Sequence, residues 1–193
     1  MQSSESGEEG PPSILLGCTG AVQLLSIGDY ISALRGLSIK SLGVVVSPTA
    51  AEMTSIATLQ AVADEVITEV LPTRNHIALS RYYRQMIVVP ATANFLTGAA
   101  HGFTRNSVEL MVLAMPRPAI IVPAMNHIMW AKPATQRSVR LLEADGHVVI
   151  APTETDAVYE AASKTLRPGL AAATPQEVAA AARSAIQGQT HGT

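Results

Sequence analysis

Ile14-Leu15-Leu16-Gly17-Cys18-Thr19-Gly20 is the stretch from which the fold is read. Three branched apolar residues run into a turn built on two glycines. An amphipathic stretch follows, from about Ala21 to Arg35, with Gly36 placed to end it. Strand, glycine-containing turn, helix is how a nucleotide-type α/β domain begins. Backbone N–H groups at the helix start, with the Thr19 hydroxyl, would make an anion site. The full Gly-x-Gly-x-x-Gly fingerprint is absent, because Gln23 stands where its last glycine would be. The loop therefore reads either as an anion site or as a tight strand-to-helix turn and nothing more.

The same unit recurs outward from this start. Leu42 to Val46 reads as a second strand, ending in Ser47-Pro48-Thr49, and Val66 to Val70 as a short edge strand. Thr49-Ala50-Ala51-Glu52 has capping-box spacing. Ser47 and Thr49 follow a strand's carboxyl end, so each is either a helix cap or a phosphate contact. Arg74 to Arg84 reads as a helix with His76 near its start, where the helix dipole favours neutral imidazole. Met86 to Val89 predicts a central strand running into Pro90-Ala91-Thr92-Ala93-Asn94-Phe95. Helical segments follow around Phe95 to Ala100 and Asn106 to Met115. Ala119 to Val122 reads as the next strand and His147 to Ala151 as the last. Asp156 to Thr165 is expected to be a helix or a flap. Thr174-Pro175-Gln176-Glu177 is a capping box with proline at the first helical position, opening a helix to about Ile186.

Strands alternating with helices predict an α/β domain with a parallel sheet. Residues 1–12 read as a polar, acidic tail, 13–186 as a single domain and 187–193 as a second tail. Strands reach proline at Pro90, Pro123 and Pro152 with polar groups just beyond, which predicts one composite site on one sheet edge.

With 193 residues and a net charge of −2, the chain has no basic footprint for nucleic acid, and its aromatics are too few for a base-stacking surface. A single cysteine, Cys18, excludes a disulfide within the chain and makes a cytoplasmic location the expectation. No apolar run is long enough to span a membrane. The five histidines show no metal-ligand spacing.

Pro123-Ala124-Met125-Asn126-His127-Ile128-Met129-Trp130 carries the chemistry. A buried strand ending in Pro-x-Met-Asn sets an amide just past the sheet edge. That amide can hold a carboxylate without adding charge, and Met125, Met129 and Trp130 would supply an apolar wall. The alternative is a turn with a structural asparagine and three core side chains.

Four segments together resemble the flavin-containing cysteine decarboxylase family: Gly17-x-Thr19-Gly20, His76-Ile-x-Leu79, Pro90-Ala-Thr-Ala-Asn94, and Pro123-x-Met-Asn-x-x-Met-Trp130 followed by Pro133-x-Thr-Gln136. The last is the most specific. The resemblance implies a Rossmann-like flavoprotein with helices on both faces of its sheet. It implies FMN bound at a subunit interface of a homotrimer or dodecamer. His76 would be the active-site base and Asn126 the ligand of the substrate carboxylate. Gly17, Thr19, Gly20, Ser47, Thr49, Thr92, Ala93 and Asn94 would hold FMN, and Pro123, Met125, Asn126, Met129 and Trp130 would line the substrate site. The chain departs from the family pattern at Tyr82-Tyr83-Arg84, Phe95 and Arg105, where relatives carry Trp-Ala-Asp, threonine and aspartate.

An acylated cysteine has no internal electron sink for losing CO₂, and its blocked nitrogen excludes pyridoxal chemistry; a flavin supplies the sink. The branch of the family that makes coenzyme A precursors carries a cysteine in the flap after the last strand. Thr153 to Thr174 contains none, and Cys18 reads as a small buried residue. The expected substrate is therefore a ribosomal precursor peptide ending in cysteine, as in lantibiotic biosynthesis, and the expected product an oxidised enethiol. The alternatives are a phosphopantothenoylcysteine decarboxylase, a flavin prenyltransferase and an inactive regulatory FMN protein.

Overall fold

The computed structural model describes residues 11–160 and 163–188. The terminal tails expected from the sequence lie largely outside the described residues. Six parallel strands form the central sheet: β1 Ser13–Cys18, β2 Ser41–Val46, β3 Glu65–Ile67, β4 Gln85–Ala91, β5 Ile120–Pro123 and β6 Val148–Val149. Their spatial order is β3-β2-β1-β4-β5-β6. The chain steps outward from β1 to β3 and then crosses back to lay β4 against the other side of β1. The switch point of the sheet is thus between β1 and β4, where open α/β sheets bind ligands.

β1, β2 and β4 are buried along their whole lengths. They are apolar on both faces because helices cover both. On one face α1 (Ile27–Arg35) and α9 (Pro175–Gln187) close over Ile14, Leu16, Val44 and Val46. On the other, α4 (His76–Tyr82), α5 (Ala93–Ala100), α6 (Ser107–Ala114) and α8 (Pro133–Ala144) pack on Leu15, Val45, Met86 and Val88. Two short helices, α2 (Pro48–Met53) and α3 (Ile56–Val62), link β2 to β3, and α7 (His127–Ala131) follows β5.

Several local expectations are corrected. The stretch from Ala21 to Arg35 is not one helix: a 3-10 turn, Val22–Ser26, precedes α1. Gly36 ends α1 at φ −69°, so its freedom to adopt positive φ is unused. Ser47, not Thr49, caps α2, accepting the Ala50 N–H at 3.2 Å, because Pro48 sits at the first helical position, where its missing N–H costs nothing. β4 does not stop at Pro90 but runs through it to Ala91, which is paired with Pro123 of β5. The His147–Ala151 strand shrinks to two residues and is not the last. Thr153–Glu160 (β7) and Thr165–Ala171 (β8) form an antiparallel hairpin where a helix or flap was expected. The Thr174 capping box is present as read, with Thr174 and Glu177 each accepting the other's backbone N–H.

Candidate functional site

The carboxyl ends of β1, β2 and β4 open into one cleft of about 470 Å³. Its wall includes Thr19, Gly20, Ser47, Thr49, Thr92, Ala93, Asn94 and Met129. Residues scattered between positions 19 and 129 are gathered there by the sheet order.

Each wall residue has a local reason for its place. The Thr19 hydroxyl donates to the Pro90 carbonyl at 2.8 Å and accepts the Thr92 N–H at 3.0 Å, tying the ends of β1 and β4 together. A ligand therefore meets Thr19 as a bracket already engaged, not as a loose hydroxyl. Ser47 and Thr92 are N-caps; each oxygen accepts a backbone N–H, from Ala50 and from Phe95, and keeps its own proton to donate outward. Gly20 must lack a side chain, since a Cβ there would run into Thr49. The first turn of α5 adds the positive end of a helix dipole to the same wall.

Gly17 is not on the wall. It lies within β1, where a Cβ would come within 2.9 Å of Met86 Cε and 3.0 Å of Val108 Cγ1, so it permits close packing of α6 on the sheet.

The Asn126 motif is a short helix fastened at both ends. Asn126 Oδ1 accepts the Met129 N–H at 2.9 Å. Thr135 and Gln136 donate to the carbonyls of Met129 and Trp130, each at 2.7 Å, closing the other end. This accounts for the spacing of Pro133-x-Thr-Gln136 behind the motif. With Oδ1 engaged, Asn126 offers its Nδ2 donors, the end of the amide that suits a carboxylate. Asn126 is exposed and does not itself line the cleft; Met129, 43% exposed, is the residue of the motif on the cleft wall. Met125 and Trp130 are half-buried against the core beneath, and Pro123 closes β5. None of these three lines the cleft of this chain.

His76 is the first residue of α4, whose cap is Asn75 accepting the Ala78 N–H at 3.1 Å. It is half-exposed and does not line the cleft of its own chain. Cys18 is fully buried, and desolvation pushes its thiol up to about 12, which makes it inert as a nucleophile.

Two further residues line the cleft: Arg105, noted in the sequence only as a departure from the family pattern, and Glu109, which the sequence reading missed. Arg105 pairs with Glu109 at 2.6 Å and reaches Asn94 Oδ1 at 3.2 Å. The signal was present: Glu109 interrupts an otherwise apolar helix, four residues after an arginine.

The cleft suits a planar ligand that carries an anionic group. It lies at the switch point, its floor is small residues, and outward hydroxyl donors and a helix N-terminus surround it. These are the features of a flavin mononucleotide site in a doubly wound sheet. The flavoprotein family model matches residues 2–169, and the chain belongs to that family. It is 31% identical over 180 residues to mersacidin decarboxylase from Bacillus sp. (strain HIL-Y85/54728), covering 92% of each chain. It is 28% identical to the coenzyme A biosynthesis bifunctional protein CoaBC of Haemophilus influenzae, over 72% of this chain and 36% of that one. Among solved structures it resembles the epidermin biosynthesis protein EpiD from Staphylococcus aureus, with a TM-score of 0.78 and 27% identity over 86% of this chain and 97% of that one. It also resembles the FMN-dependent cysteine decarboxylase SpaF, with a TM-score of 0.76 and 26% identity over 93% and 97%.

Proposed function

We propose that the chain is an FMN-dependent decarboxylase that oxidatively removes CO₂ from the C-terminal cysteine of a ribosomally made precursor peptide, giving an aminoenethiol. One observation carries the reading: a helix fastened at both ends holds Asn126 with its side-chain carbonyl engaged and its amide donors uncommitted, three residues before Met129 on the wall of a flavin-type cleft.

FMN fits the residues present: Ser47, Thr49 and Thr92 would hold it, with Gly20 and Ala93 making room and Asn94 fixed beside them. When bound, it supplies the two-electron acceptor that an acylated cysteine lacks. Asn126 Nδ2 orients the substrate carboxylate. A neutral amide does this without a salt bridge, which would hold the carboxylate in the ground state and oppose its loss. Met129 packs on the substrate beside it. The imidazole of His76 takes the thiol proton. Because His76 stands off its own chain's cleft, a second copy of the chain completes the site, which fits a homotrimer or a dodecamer built from trimers. Pro123, Met125 and Trp130 hold the substrate helix in place from behind.

The absence of any cysteine from Thr153 to Thr174 favours the oxidised product, for which dioxygen would be the final acceptor of the two electrons. The similarity to CoaBC favours a second reading, decarboxylation of phosphopantothenoylcysteine to a saturated thiol. Mass spectrometry of both substrates after incubation with the flavin-loaded protein separates the two. Loss of CO₂ and two hydrogens from a peptide ending in cysteine supports the first reading. Loss of CO₂ alone from phosphopantothenoylcysteine supports the second.

A further inference from the structure

Glu109 has no part in the chemistry above, yet its side chain is fully withdrawn from solvent. A buried carboxylate persists only when it is paired and hydrogen-bonded. Both oxygens of Glu109 turn to Arg105. Oε1 accepts from Nη2 at 2.6 Å; Oε2 accepts from Nε at 3.2 Å and from the Arg105 backbone N–H at 2.9 Å. The Phe103 ring lies 5.4 Å from the guanidinium carbon. α5 leaves room for the pair, since a Cβ on Gly98 would run into Arg105 and Glu109.

So held, the guanidinium reaches Asn94 twice. Nη1 donates to Asn94 Oδ1 at 3.2 Å, and Nη2 donates to the Asn94 carbonyl at 3.1 Å. Arginine has donors and no acceptor. It therefore selects one of the two orientations of the Asn94 amide, the one with Oδ1 toward Arg105. The Nδ2 donors are left for a ligand, and all three residues lie on the cleft wall.

We infer that Arg105, fixed by Glu109, is a positioning residue for the cofactor: it sets the Asn94 amide so that its N–H groups meet an acceptor atom of FMN. The inference rests on the reading that this cleft binds FMN through Asn94.

The test is a cycle of variants read by FMN release. Removing Arg105 alone would strand a buried charge, so Arg105→Met is combined with Glu109→Gln. Flavin-loaded wild type, this pair variant, Asn94→Ala and the triple variant are diluted serially, and released FMN is followed by its fluorescence. Thermal unfolding at saturating FMN is recorded beside it. The pair variant and Asn94→Ala should each weaken FMN binding about tenfold or more, the scale of one hydrogen bond involving a charged or well-oriented group. The triple variant should bind no more weakly than Asn94→Ala, because Arg105 acts through Asn94. Arg105→Lys should recover binding only in part, as one ammonium cannot reproduce the fork. Wild-type FMN affinity in the pair variant, with only a lower unfolding temperature, would overturn the inference. So would losses that add in the triple variant, which would mean that Arg105 meets FMN directly. A wild-type protein that neither carries nor takes up FMN would instead overturn the reading of the cleft itself.

Discussion

Asn126 does two jobs with the two ends of one amide, and substitutions can separate them. Aspartate caps helices about as well as asparagine but offers no donor, and its charge repels a carboxylate. Asn126→Asp should therefore leave FMN content and the unfolding temperature near wild type while turnover falls by at least about a hundredfold, the loss of one charge-bearing contact plus repulsion. Normal turnover in that variant would remove Asn126 from the chemistry. His76→Asn should likewise keep the flavin and lose turnover, by roughly a hundredfold or more if general base catalysis is lost. Gly20→Ala is a different kind of change. Its Cβ runs into Thr49, so the variant should purify with substoichiometric FMN yet remain folded by circular dichroism. The places of Gly20 and Asn126 were legible in the sequence, because each follows an apolar run with turn chemistry beside it; the role proposed for His76 came from the family resemblance alone. The bracket made by Thr19 was not legible, since its partners Pro90 and Thr92 are distant in sequence and the bond exists only once β4 lies against β1.

Elements were read well where burial imposes a pattern. β1, β2 and β4 are covered on both faces and announced themselves as apolar runs; α9 was marked by its capping box. Thr174→Ala removes that box and should cost about 1 kcal/mol of stability by denaturant titration, since α9 buries Val178 and Ala182 against the sheet. The β7–β8 hairpin was read as a helix or a flap, and of the two the helix is overturned, for the opposite reason. Most of its residues are exposed, so no alternation of apolar and polar residues betrays a strand. Pro90 was read as the end of the strand, yet β4 continues past it to pair Ala91 with Pro123. The junction of α8 and β6 has a pH signature. His147 Nδ1 accepts the Ala119 N–H at 2.9 Å, and burial pushes the imidazole pKa below its ordinary 6.5. The unfolded chain then takes up a proton more readily than the fold. The resulting stability is present above about 6.5 and is lost as pH falls through the lower folded value. His147→Gln should flatten that part of the stability–pH curve measured by thermal unfolding; an unchanged slope would locate the sensitivity elsewhere.

At the scale of the whole molecule, the sheet order makes the site. Only a crossing from β3 back to β4 brings residue 19 beside residue 92, and the alternation of strands and helices cannot reveal which strands become neighbours. The position of His76 off its own cleft extends the argument to an assembly: light scattering should find trimers or multiples of three, and a monomer with full activity would contradict a shared site. Among the described residues no helix is long and apolar enough to cross a membrane. The most direct measurement is mass spectrometry of a synthetic peptide ending in cysteine, incubated aerobically with the flavin-loaded protein. The account predicts a product lighter by CO₂ and two hydrogens, absent when the terminal cysteine is amidated or replaced by serine. A peptide returned unchanged by a protein that holds its FMN would contradict it.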